Sequence, residues 1–146
     1  MNNHAIRCDD PIFRRIPVTL KLYRPETEEL HAQAFRPSPR DIDGLSVSRG
    51  KTDHHPEFLS LEQVAEVGRN PQGYFVAELS LISLNSHNIQ VVPDPKDDDP
   101  GHCLIPSLRY QKPRPSEMLE LMELLKQLTI RVHGPFIPEV SADSEL

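Results

Sequence analysis

The chain has 146 residues, 37% of them hydrophobic and 26% charged, with 15 prolines, 6 glycines, 2 cysteines and no tryptophan. That length suits one domain, and a chain of this size buries about 70% of its extended-state surface without metal or disulfide staples. Sixteen Lys+Arg against twenty-two Asp+Glu give a formal net charge of −6, which argues against broad coating of nucleic acid, because that affinity comes from counterions released by Lys and Arg.

The charge is unevenly spread. Residues 1–50 hold 8 basic and 7 acidic groups, leaving 8 and 15 for residues 51–146. A local basic patch could therefore be assembled from Arg14, Arg15, Lys21, Arg24, Arg36, Arg40 and Arg49. No apolar run approaches the roughly 18 residues of a membrane-spanning helix, and MNNHAIRCDD lacks the apolar stretch of a secretory signal. Cys8 and Cys103 are too few for a disulfide framework, although a single bridge between them is conceivable. The expected compartment is cytoplasmic.

In chain order, residues 1–11 end in the breaker cluster Asp9-Asp10-Pro11 and read as a flexible arm. Val18, Leu20 and Leu22 alternate with polar neighbours, which predicts a strand that starts near Val18, just after Pro17. Pro25 followed by Glu26, Glu28 and Glu29 predicts a short helix over 25–35. Residues 38–55 are polar loop with a brief strand at 45–48. Ser60 and Gln63 have capping-box spacing ahead of a two-turn helix that ends at Gly68. The strongest strand signal runs from Tyr74 to Leu84, and Ile89–Val92 is expected to pair with it as a hairpin. Residues 93–101, with three prolines and four aspartates, read as a solvated acidic loop. His102–Leu108 is a further strand near an edge. Met118, Leu121, Met122, Leu125 and Leu128 give the one strongly amphipathic helix, at 116–129. A last short strand at 130–132 precedes a disordered acidic tail at 136–146. The predicted architecture for 12–135 is a single α+β domain: a small, mainly antiparallel sheet of four to five strands packed by two to three helices, with one long C-terminal amphipathic helix.

Chemistry could sit in three places. Arg40, Asp41, Asp43, Ser46, Ser48 and Arg49 concentrate guanidinium, carboxylate and hydroxyl groups on one glycine-containing loop. The arginines could grip a phosphate bidentately, although the same Asp and Ser side chains also serve ordinary turns. His102 starts a strand beside the acidic loop, where an imidazole can act as a general base. The adjacent Cys103 reads as an inert buried thiol. Glu78, mid-strand on the less apolar face, would be a candidate acid or base if that face lines a cleft. The histidines and Cys103 lack any zinc-ligand spacing, so no metal site is assigned.

No dinucleotide, P-loop or hydrolase-elbow fingerprint is present. The residues read first as a small cytosolic protein-interaction or regulatory accessory module without its own catalysis, with a protein partner or a second copy docking on helix 116–129. The alternative is a small transferase or hydrolase acting on a phosphate-containing ligand through the 38–55 loop, with His102 and Glu78 as its acid-base groups. The two diverge on whether those groups converge in space.

Overall fold

The computed structural model describes residues 9–138. They form an α+β fold around a six-stranded antiparallel sheet in the order β6-β7-β4-β1-β5-β8, with a separate two-stranded ribbon β2-β3. The strands are β1 (Pro11–Pro17), β2 (Tyr23–Arg24), β3 (Glu29–Leu30), β4 (Leu45–Arg49), β5 (Tyr74–Ser80), β6 (Val92–Pro93), β7 (His102–Ile105) and β8 (Arg131–Phe136); the helices are α1 (Leu61–Val67), α2 (Leu81–Ser86) and α3 (Ser116–Leu128). The sheet is thus larger than the four to five strands expected. The long amphipathic helix is not the last element, since β8 follows it.

The first strand is displaced from its predicted place. It occupies Pro11–Pro17, between β4 and β5, while Val18–Leu20 is a 3-10 turn. Ile12 and Ile16 pair with Leu79 and Phe75 and are fully buried. The two prolines sit at the strand's ends, where a missing N–H costs the ladder least. The helix predicted over 25–35 is replaced by the β2-β3 hairpin and a 3-10 turn at Ala32–Phe35, capped by His31 Nδ1 accepting from Gln33 N at 3.1 Å. With apolar groups only at Leu30, Ala32, Ala34 and Phe35, two of them alanines and none before residue 30, the segment has too thin an apolar stripe to hold a helix against the sheet.

The predicted long strand from Tyr74 breaks at Ser80. Ser80 Oγ accepts from Ser83 N and starts α2, and the Asp9 carboxylate accepts from both Ser80 Oγ at 2.6 Å and Ile82 N at 3.0 Å. The hairpin expected between this strand and 89–92 does not form, because α2 intervenes and Val92–Pro93 pairs with β7 instead. The brief strand at 45–48 is present and lies inside the sheet. Ser60 and Gln63 make the predicted reciprocal caps.

Apolar groups fill both sides of the sheet. On one face α3, α2 and the 32–35 turn enclose the main core, which includes Ile12, Phe35, Leu45, Leu79, Met122 and Leu125. On the other, α1 lays Val64 and Ala65 over Phe13 and Val76. The stripe of α3 points into the main core: Met118, Met122 and Leu125 are buried, Leu121, Leu124 and Leu128 pack beside them, and only Leu119 stands out at 46% exposure. Both sheet edges are interrupted. β6 has two residues, one a proline, and β8 bulges at Gly134-Pro135 between the pairs Tyr74–Phe136 and Val76–His133. No helix among the described residues is long and apolar enough to cross a membrane. The proposed arm at 1–11 lies outside the described residues up to residue 8, whereas Asp10 is buried and Pro11 opens β1. The acidic tail lies outside them from residue 139.

Candidate functional site

Phe13, Ser48 and His102 are successive register partners across β1, β4 and β7, so their side chains share the face that carries α1. The helix covers Phe13 and stops there. The uncovered remainder of that face is a groove made of two adjoining cavities of about 350 and 380 Å³, which share Arg15, Arg40, Tyr74 and His102.

Arg15 reaches it from β1. Its Nη1 donates to Val64 O of α1 at 3.1 Å, and its guanidinium lies 5.8 Å from the centre of the Tyr74 ring. The ring is fixed in turn by Arg69 N and Asn70 N, which both donate to the Tyr74 hydroxyl. Gly68 permits this approach, because a Cβ there would fall 2.1 Å from the ring. Arg14, also at the groove, donates from Nε to Ala34 O and from Nη1 to Ser46 O at 3.0 and 2.9 Å. Burial lowers its pKa to about 10, with Asp41 opposing the shift and Arg15 adding to it. Arg40 is exposed on the rim. Among the described residues, none of these three guanidinium groups has a carboxylate oxygen within 4.0 Å.

The opposite wall comes from the acidic loop. That loop was expected to be solvated throughout, yet Asp99 is 1% exposed and accepts the Ser48 hydroxyl on Oδ2 at 2.5 Å. Main-chain bonds between Lys96 and Asp99, and from His102 N to Asp99 O, fold the loop tightly enough to bury it. Asp97 and Asp98 do face solvent. His102 Nδ1 is 2.9 Å from Asp94 O and 3.1 Å from Asp94 Oδ2. Both partners accept, so Nδ1 carries the proton and Nε2 is the ring nitrogen left for a ligand.

Of the residues singled out from sequence, Arg40, Ser46, Ser48 and His102 converge in this groove. The others do not. Asp41 Oδ2 accepts from Ser38 N at 2.6 Å and its carbonyl accepts from Tyr110 N, which is turn chemistry. Asp43 is exposed. Arg49 pairs with buried Asp10 and lies 5.5 Å from the Phe58 ring, on which His55 is stacked. Glu78 shares the row of Ser48 and His102 but accepts from His133 Nε2 at 2.7 Å. Three strand spacings, about 14 Å, and the α1 contact with Phe13 separate it from His102.

Cys103 turns the opposite way from His102, into the main core, where its Sγ donates to Gly101 O. Burial, only partly opposed by Arg49, pushes its thiol up to about 11. Cys103 is therefore expected to resist iodoacetamide in the native protein at about pH 8, where little thiolate exists, and to react once unfolded; peptide mapping by mass spectrometry checks this. Among the described residues no three His, Cys, Asp or Glu side chains converge as a metal site requires.

Tyr74 was not among the residues singled out from sequence, and Arg15 entered only as one member of the possible basic patch. They lie 59 positions apart and meet only because β1 is a central strand, whose Pro17 pairs with Tyr74. Comparison of the chain with models of known protein families, with curated proteins and with solved structures finds no match.

Proposed function

We propose that this chain is a small accessory or regulatory binding module, without catalysis of its own, that works by holding a phosphate-containing ligand in the groove beside α1. One observation carries the reading: Arg15 and Arg40 reach the same groove, with no carboxylate within ion-pair distance among the described residues, together with two serines and an imidazole. Guanidinium groups not matched by carboxylates are the donors that planar, bidentate recognition of a phosphate uses. A partner docking on α3 loses support, because most of that helix's apolar stripe is buried in its own chain.

The test is a titration of inorganic phosphate into isotopically labelled protein, followed by amide shifts. Saturable shifts are expected at Ser46, Ser48, Tyr74 and His102. Arg40→Glu replaces an attraction with a repulsion on an exposed side chain, so it should weaken binding by about 30-fold or more without unfolding the protein. Shifts scattered over the surface, or indifferent to that variant, would remove the proposal.

A second reading, a hydrolase or transferase of phosphate esters, is favoured by the Asp94–His102 pair, since an imidazole oriented by a carboxylate is the arrangement of a general base. Turnover of para-nitrophenyl phosphate that disappears in His102→Gln would replace the binding module with that enzyme.

A further inference from the structure

We infer that the ligand of the groove is a hydroxyl-bearing phosphate monoester, as in the sugar-phosphate class, and that Asp99 accepts a hydrogen bond from its hydroxyl group. The inference rests on the phosphate reading above and adds the part of the ligand that is not phosphate. Among the described residues, Asp99 Oδ1 is the one buried side-chain oxygen or nitrogen without a hydrogen-bond partner. Its sister oxygen accepts from Ser48 at 2.5 Å, and the nearby main-chain bonds engage the Asp99 backbone, not its carboxylate. A buried carboxylate oxygen left in this state is costly, and native structures seldom retain one without a use.

Asp99 lines the groove alongside Arg15, Arg40, Lys96 and His102. A phosphate dianion offers only acceptors and would repel it, so a ligand that satisfies the whole groove must also bring a donor. An ammonium group is disfavoured by Arg15 and Arg40, which have no carboxylate partner among the described residues, although Lys96 is paired with Asp94 at 3.3 Å and Asp98 lines the same cavity. A hydroxyl carries no charge and meets no such opposition. Size agrees, since cavities of about 350 and 380 Å³ exceed what a lone phosphate fills and fall in the range of small-ligand pockets.

Calorimetric titration with ribose 5-phosphate and with ethyl phosphate probes this contribution, because the two esters share charge and linkage and differ in the hydroxylated sugar that one of them carries, with the Asp99 variant assigning the difference to a hydroxyl contact. Ribose 5-phosphate is expected to bind at least about ten-fold more tightly, the equivalent of about 1.4 kcal/mol. Asp99→Asn keeps an oxygen for Ser48 and places an amide donor where Oδ1 stood, so it should abolish the preference, while loss of the repelling charge should make ethyl phosphate bind at least as tightly as it does to the native protein. Arg40→Glu should weaken both esters and preserve their ratio. Equal affinity of the native protein for the two esters overturns the inference, whether or not the Asp99 variant folds. A preference that survives Asp99→Asn in folded protein overturns it as well. Failure of both esters to bind instead overturns the phosphate reading itself.

Discussion

Truncating Phe35 to alanine is expected to destabilise the protein by about 3–5 kcal/mol, the usual cost of deleting a fully buried aromatic ring. The ring is 1% exposed and sits at the end of the 32–35 turn, in the same core cluster as Met118, Met122 and Leu125 of α3. Removing it leaves the helix stripe facing a void that the short, proline-flanked turn cannot close by shifting. For a chain of this length the loss corresponds to a fall of about 10–15 °C in Tm. Leu119→Ala on the same helix, where the side chain is 46% exposed, should change stability by no more than about 0.5 kcal/mol. Urea unfolding of the pair separates the two faces of α3. Similar losses in both variants would mean that the helix does not present its stripe inward.

Gly73→Ala should cost a comparable amount for a different reason. Gly73 has φ +90, in a region that side-chain-bearing residues rarely adopt, and a Cβ there would fall 2.2 Å from the main-chain oxygen of Phe136. Backbone strain of about 1–3 kcal/mol and overpacking of about 1–3 kcal/mol act together, and main chain cannot rotate aside as a flexible side chain would. The damage should also spread. Gly73 O accepts from Val18 N, Gly73 N donates to Asn70 O, and the next residue is Tyr74 of the groove. Lower urea midpoint together with weaker phosphate binding is the expected pair of results. A loss below about 1 kcal/mol would show that the turn relaxes around the new methyl.

Where local signals were chemically specific, the fold was legible. Ser60 and Gln63 announced their helix because both caps lie within four residues, and the Met118–Leu128 stripe announced α3 because its period repeats. Pro17 misled, since a proline closing a strand looks the same as one preceding it, and the displaced β1 hid the meeting of Arg15 with Tyr74. Pro25 and its acids resemble a helix start, but only packing reveals that too few apolar groups follow. Ser80, with a hydroxyl positioned for the Ser83 amide, was a helix start available in the sequence that the apolar alternation from Tyr74 obscured. Arg40, Ser46, Ser48 and His102, singled out by residue type, line one groove. Asp41, Asp43, Arg49 and Glu78 were drawn in on the same grounds, although their partners in turns, ion pairs and β8 lie where no sequence spacing reports them.

The interrupted rims of the sheet bear on how anything can attach to this molecule. A two-residue strand closed by a proline offers almost no main-chain template, and a bulged strand presents its amides and carbonyls out of step. Recognition by an added strand, which reads backbone and is indifferent to charge, is therefore discouraged at both ends. What the sheet leaves open is a face, where side chains make the contacts. In the binding module proposed above, selectivity would then rest on a handful of arginine, serine and histidine side chains and not on main-chain pairing.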